Sequence, residues 1–347
     1  MNSPRVLMIG HYPLDQLDRA PKVRIFHLAQ ALKKYVDLDL ISEYRPQRRR
    51  ALWRLLISGQ FRNYDFVYIE AATSTAMEAD LLLLILWRLW KCPVGIFIRD
   101  AHPLFGMTPT QGIKNKLLLA GWYVSQWFYH HFATVLFYPT AGLRAQFSSP
   151  RPQELLPPGS TSQSREPVNG DRYILYAGGL SHSKGSDLLY QTLESVRKIY
   201  PIQLLVVCSP DQVETESDWL SEEWVKISHQ SLQKTALETT HIALGIIPLP
   251  LTPYYHLALP VKLMDYLSLG IPVVSTACRE IVTFMEHYPV GLTAQDNPEA
   301  LSQAILTLLQ DREQRLKMAE RARQLAQSDL SWHHRALNLL DSLVRHQ

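Results

Sequence analysis

The stretch "LALPVKLMDYLSLGIPVVST", residues 257–276, decides the fold. An apolar run interrupted by Lys262 and Asp265 reads as a helix from Lys262 to Leu269. A Gly-x-Pro turn then leads into the β-branched strand "IPVVST". Helix, turn and buried strand make up half of a β/α repeat. Lys262 and Asp265 lie three residues apart and share one helical face. That spacing suits a solvated surface pair and a pair of ligand contacts equally well.

The same alternation extends outward in both directions. Before the stretch come the strand "YILYAGG", the helix "SDLLYQTLESVRKIYP" stopped by Pro201, and the strands "IQLLVVCS" and "WVKIS". The helix "SLQKTALETT" and the strand "HIALGIIPL" follow. After the stretch, a charged helix is predicted from Pro298 to about Ala326, and a last helix begins after Ser331. The first half repeats the pattern with the strands "RVLMIG", "VDLDLIS", "YDFVYIE", "PVGIFIRD" and "ATVLFYP". Its helices are "KVRIFHLAQALKKY", with Val23, Phe26, Leu28, Ala29 and Leu32 at helical spacing, then Thr73–Trp90 and Ile113–Phe132. Strands alternating with helices imply parallel sheets covered on both faces.

A chain of 347 residues suits two domains of about 150 residues each. The composition shifts in "LLPPGSTSQSREPVNGDR", where prolines, serines and glycines cluster. The expected organisation is a first domain over 1–160, a linker over 161–171, a second domain over 172–327, and a terminal helix over 328–347. The fold class is therefore α/β, with two doubly wound units in tandem. In such sheets ligands bind outside the carboxyl ends of the strands, so a cleft between the two sets of strand ends is expected.

Several function classes fall away. Cys92, Cys208 and Cys278 are scattered and odd in number, which argues against a disulfide framework or a zinc site. No His/Asp/Glu cluster has metal-ligand spacing, and His256 reads as a loop residue. "MIGHYPLD" lacks G-x-G-x-x-G, which argues against a nicotinamide-dependent dehydrogenase. "MNSPRVLMIG" has no signal-peptide core, and the uninterrupted apolar run Leu81–Trp87 is far shorter than a membrane span. A cytoplasmic protein is expected.

The net charge of +3 is uneven. Residues 1–165 carry 20 Lys+Arg against 11 Asp+Glu, and residues 166–347 carry 15 against 21, so +9 and −6. Six arginines fall between Arg45 and Arg62. A solvated basic loop is one reading of that run. A nucleic-acid surface is another. The interleaved aromatic and leucine residues, together with the aromatic helix 113–132, favour peripheral contact with an anionic membrane on its inner face.

Four strand ends carry polar residues that could meet a ligand. They are Gly10 with Arg24 near the next helix; Asp100 and His102 in "FIRDAHP"; Gly178, Gly179, Ser181 and Lys184 in "AGGLSHSKGS"; and Lys262, Leu263 and Asp265. Glycines that admit a close backbone approach, followed by a helix and a lysine, are the parts of an anion cradle. A plain strand-to-helix turn would look the same. His102 could relay a proton or bond a sugar hydroxyl, while Asp100 could equally cap the next segment.

"YAGGLSHSKGSDLL", "IALGIIPL" and "LPVKLMDYLSLGIPVVST", in this order, resemble the second domain of family 4 glycosyltransferases, which have the GT-B fold. "KVRIFHLAQALKK", "IRDAHP", "ELLPPGS" and "LSWHHRALNLLDSL" extend the resemblance over nearly the whole chain. The resemblance implies a terminal helix packed back toward the first domain. It also implies a nucleotide-sugar donor, UDP- or GDP-linked, held mainly by the second domain. A glycan or lipid-linked acceptor is held mainly by the first. Transfer is expected to retain anomeric configuration and to require no metal ion or other cofactor, and no nucleic-acid partner is expected.

By the same resemblance Lys184 matches a pyrophosphate-binding lysine, Asp265 a ribose contact and Lys262 a lysine found in some members. Asp100 and His102 fall near the transferred sugar or acceptor. Three departures stand out. Gly179 replaces an arginine, Leu257 a glutamate, and Asp265 is a shortened glutamate. They raise the alternative of a catalytically silent binding partner. A sugar-nucleotide epimerase shares the architecture, but no pair of acidic residues at a strand end suits it.

Overall fold

The computed structural model describes residues 3–17, 19–71, 73, 75–161, 170–213, 218–238 and 241–347. The chain divides into two compact units, Met1–Pro158 with Trp332–Gln347, and Gly159–Ser331. Most of the expected linker, residues 162–169, lies outside the described residues. Ser160 already belongs to the second unit, where its N–H donates to the Leu330 carbonyl and its hydroxyl to the Met264 carbonyl.

The first unit is built on β1 (Arg5–Gly10), β2 (Asp37–Ser42), β3 (Phe66–Glu70), β4 (Val94–Phe97), β5 (Val135–Tyr138) and β6 (Gln153–Leu155). They form one parallel sheet in the order β2-β1-β3-β4-β5-β6. β3, β4 and β5 are buried along their whole length, as continuous apolar runs require when helices cover both faces. The helices are α1 (Ala20–Leu32), α2 (Arg45–Ile57), α3 (Glu78–Leu89), α4 (Ile113–Phe132) and the single turn α5 (Ala141–Arg144).

The second unit contains β7 (Tyr173–Ala177), β8 (Gln203–Val207), β9 (Val225–Ser228), β10 (Ile242–Ile247), β11 (Val273–Thr276) and β12 (Gly291–Ala294). Its sheet order is β12-β11-β10-β7-β8-β9, again parallel. This is the doubly wound 3-2-1-4-5-6 order, with its switch point between β7 and β10. The helices are α6 (Ser186–Arg197), α7 (Leu232–Glu238), α8 (Val261–Ser268), α9 (Arg279–His287), α10 (Pro298–Gln310) and α11 (Arg312–Gln327).

The terminal helix α12 (Trp332–Arg345) packs on the first unit, as expected. Trp332, Ala336, Leu339 and Leu343 make one stripe at spacings of four, three and four. That stripe joins a core with Ile25 and Leu28 of α1 and with Val6, Phe97 and Phe137 of the sheet.

Some elements differ from expectation, for local reasons. The helix expected from Pro298 to about Ala326 is two helices broken at Asp311, whose carboxylate accepts the Gln314 N–H at 2.8 Å as an N-cap. α3 starts at Glu78 instead of Thr73. α2 was hidden by its arginines. Only Arg48, Leu52 and Leu55 of that helix are buried, so one of the three inward positions is charged and the apolar periodicity vanishes. β12 and α9 were also unforeseen.

Candidate functional site

Two groups of polar residues stand at the carboxyl ends of strands, one in each unit. In the second unit the chain leaves β7 through Gly178, at φ +119°. This left-handed region is costly for any side chain. The loop is pinned by the Tyr176 hydroxyl, which donates to the Gly179 carbonyl at 2.8 Å, and by the Leu180 N–H, which donates to the Gln212 carbonyl at 2.9 Å. Gly185, at φ +82°, turns the chain into α6 where a Cβ would collide with the Pro248 carbonyl at the end of β10.

α8 is held over this loop by one tyrosine. Gly245 in β10 leaves room for the Tyr266 ring, since a Cβ there would lie 2.5 Å from its Cδ2. The Tyr266 hydroxyl in turn accepts the Ala177 N–H at 2.7 Å. The first turns of α8 therefore stand at the end of β7. A Cβ on Gly178 would lie 3.4 Å from Lys262 Nζ, and one on Gly179 would lie 2.8 Å from Lys184 Nζ. Two ammonium groups thus converge on one glycine dipeptide. Lys262 Nζ also stands 4.3 Å from the centroid of the Tyr176 ring.

Lys184, Lys262 and Asp265 have no hydrogen-bond or ion-pair partner of their side chains among the described residues. All three are recessed yet keep some solvent contact. Burial, then the neighbouring Lys184 charge, pushes Lys262 down to about 7, against a partial lift from Asp265. Burial pushes Asp265 up to about 7, and Lys262 opposes that shift. Charges left unbalanced at a strand end mark a site built for a ligand that brings its own charge. An anion over Gly178–Gly179 would satisfy both lysines, and hydroxyl groups would satisfy Asp265.

Other expected contacts here have different posts. Leu263 is fully buried in the core below α8. Ser181 is buried, with its carbonyl accepting the Lys184 and Ser186 N–H groups and its hydroxyl 3.1 Å from the Ser183 hydroxyl. Leu257 is buried in the turn before α8, so an apolar side chain fills the position where the family resemblance suggested a carboxylate. His256 accepts the Arg279 N–H at 3.1 Å and so caps α9.

In the first unit a cavity of about 430 Å³ opens outside β1, β3 and β4, next to the switch point between β1 and β3. His11, Thr73 and His102 reach it from the strand ends, Arg45 and Arg48 from α2, and Trp122 from α4. Asp100 is buried behind His102. Its Oδ1 lies 3.7 Å from His102 Nδ1 and has no hydrogen-bond partner, while its Oδ2 accepts from the Thr73 hydroxyl at 3.0 Å. His11 and Arg45 were absent from the sequence-derived site. The signal for His11 was its place directly after the β1 strand end.

Gly10 and Arg24 are explained by packing. A Cβ on Gly10 would collide with the Ser42 hydroxyl, so the glycine lets β1 and β2 lie close. Arg24 is buried, with Nε donating to Glu70 at 2.8 Å and the guanidinium 3.6 Å from the Phe97 ring centroid. Glu70 is wholly buried and also receives Arg99 Nη2 at 3.2 Å and the Tyr68 hydroxyl at 2.8 Å. Arg24 therefore anchors β3 to α1 and presents no free donor fork to a phosphate.

Residues 160–325 match the model of the family described as Glycosyl transferases group 1. The fold is similar to that of sucrose-phosphate synthase from Thermosynechococcus elongatus, with a TM-score of 0.68 at 14% identity over 99% of this chain and 98% of that one. It is similar to Anabaena Alr3699/HepE in complex with UDP and glucose, at 0.68 and 13% identity over 99% and 100%. A glycosyltransferase from Rickettsia africae ESF-5 gives 0.69 at 12% identity over 100% and 99%. At these identities the likeness is one of fold. No curated protein sequence matches the chain.

Proposed function

We propose that this chain, whose residues 160–325 match the model of the Glycosyl transferases group 1 family, moves a sugar from a UDP- or GDP-linked donor to a glycan or lipid-linked acceptor. The observation that carries the proposal is the convergence of Lys184 and Lys262, neither ion-paired among the described residues, on the Gly178–Gly179 peptide. That the similar Anabaena protein holds UDP and glucose agrees with it.

In this reading the donor diphosphate lies against Gly178–Gly179. As the sugar departs, negative charge builds on the diphosphate, and two preplaced ammonium groups stabilise it. The pair takes the role a metal ion plays elsewhere, so the reaction is assigned no metal. Asp265 accepts hydrogen bonds from the donor ribose. His102, oriented by Asp100, bonds the transferred sugar or the acceptor hydroxyl. Retention of configuration is assigned from the family resemblance, by front-face displacement in which the acceptor oxygen bonds the sugar carbon as the diphosphate leaves from the same face and takes the acceptor's proton.

The arginine replaced by Gly179 need not leave the site silent. Lys184 Nζ occupies the space an outgrowing side chain would need there, and Lys262 adds a second charge. This favours an active enzyme over a silent partner.

The acceptor side is assigned to a membrane face. Ile113, Leu117, Val124 and Trp127 fall on one exposed stripe of α4, flanked by exposed Lys114 and Lys116. Trp, Leu and Ile on one face with lysines beside them suit the interface of an anionic bilayer. No helix among the described residues is long and apolar enough to cross a membrane.

Transfer and donor-hydrolysis assays over a panel of UDP- and GDP-sugars test the proposal. Turnover of one donor class, reduced tenfold or more by Lys184→Ala, supports it. No nucleotide binding and no turnover across the panel would sink it.

A further inference from the structure

We propose that the cavity of the first unit is a phosphate site, and that the acceptor is a phosphorylated molecule whose phosphate lies among His11, Arg45, Arg48 and His102. The word acceptor rests on the transferase reading above. The phosphate site rests on the cavity itself.

The cavity wall is one-sided in charge. Among the described residues its ionisable lining is Arg45, Arg48, His11 and His102, with Tyr12 the remaining titratable group and no carboxylate. Arg48 is ion-paired with Asp80, at 2.9 and 3.1 Å, and so is held rigidly on the wall with Nη1 3.3 Å from His11 Nε2. Arg45 is exposed at the start of α2 and has no partner among the described residues. α2 itself opens with no side-chain cap and no acidic residue in its first turn, so its free N–H groups add to the positive field. Burial and the charges of Arg48, Arg99 and Arg45 hold His11 well below its usual range. A neutral His11 can therefore donate one N–H and take up a proton when an anion arrives. Two imidazoles and the unpaired Arg45 guanidinium around one cavity, with the Asp80-paired Arg48 holding His11 in place, are phosphate chemistry.

The other wall says what the phosphate is attached to. Pro103, Met107, Leu118, Leu119 and Trp122 line it, and Met107 and Leu118 are also exposed to solvent. A phosphate ester with an apolar or sugar body would use both walls. A lipid phosphate and a sugar phosphate share this chemistry.

Inorganic phosphate, glucose 6-phosphate and dodecyl phosphate, each titrated into the full chain by calorimetry without donor, test the site. UDP is titrated in parallel. The expected result is saturable binding of at least one ester, weakened tenfold or more by Arg45→Ala and by His11→Ala. Arg54→Ala, an exposed arginine elsewhere on α2, leaves it unchanged. Stronger binding of dodecyl phosphate assigns a lipid acceptor, and stronger binding of glucose 6-phosphate a soluble one. No binding by the wild type, or equal loss in the Arg54 and Arg45 variants, overturns the proposal. Phosphate failure with intact UDP binding leaves the transferase reading standing. UDP failure with intact phosphate binding does the reverse.

Discussion

Binding of a nucleoside diphosphate should change the protonation of the protein, and the sign should depend on pH. Ligand-free, Lys262 and Asp265 both titrate at about 7. A bound diphosphate pairs with Lys262 and returns its pKa toward the ordinary value, about 10.4. Ribose hydroxyls donating to Asp265 return it toward about 3.9. Above about pH 7 the free lysine is mostly neutral and the bound one charged, so binding takes up protons, while Asp265 is mostly ionised already and releases little. Below about pH 7 the roles exchange, and binding releases protons from Asp265.

Calorimetric titration of UDP or GDP in buffers of different ionisation enthalpy measures these proton exchanges. The terminal phosphate of the nucleotide itself ionises near pH 6. The release at pH 6 is therefore read as the difference between the wild type and Asp265→Asn. Lys262→Met should abolish the uptake at pH 8, and Asp265→Asn the extra release at pH 6. Binding heats independent of buffer at pH 8, with affinity intact, would refute the contact between Lys262 and the diphosphate.

Four further outcomes are expected. Lys262→Met should raise the melting temperature of the ligand-free protein most below about pH 7. Its folded pKa lies below its unfolded 10.5, so the cost of the charge is full below about 7 and fades toward 10.5; a gain that instead grows with pH would contradict this. Glu70→Ala strands the Arg24 and Arg99 guanidinium groups in the first-unit core and should cost about 3–5 kcal/mol in denaturant unfolding. Gly179→Ala should bind UDP or GDP several-fold more weakly, because its Cβ would lie 2.8 Å from Lys184 Nζ and displace that ammonium, and it should cost a little stability, because the Gln212 carbonyl at 3.1 Å must also give way; unchanged binding would contradict this. Trp127→Glu with Leu117→Glu should abolish co-sedimentation with vesicles rich in anionic lipid, and retention would remove the membrane assignment.

The residues of the proposed donor site could be grouped from the sequence because they are local to strand ends. Gly178, Gly179 and Lys184 lie within seven positions of one another, and Lys262 and Asp265 share one turn of α8. What brings the two groups together was not legible, since Tyr266 binds across 89 positions to Ala177. Arg24 shows the opposite failure. A buried structural arginine and a phosphate-binding one look alike in sequence, and the partner that decides, Glu70, is 46 positions away. Arg48 similarly meets Asp80 at a separation of 32, which turns part of a basic run into core. Gly10 was read as a strand-end ligand contact, whereas its missing side chain makes room for Ser42. The α/β alternation itself was legible because the central strands, such as β1, β4, β7 and β10, are short apolar runs between helical segments.

The central claim is that the diphosphate of the donor lies between Lys184 and Lys262. A crystal structure with whichever of UDP or GDP stabilises the protein tests it most directly. The account predicts phosphate oxygens within about 3.2 Å of both Nζ atoms and against the Gly178–Gly179 peptide. A diphosphate seated elsewhere, with the two lysines still unpartnered, would contradict it.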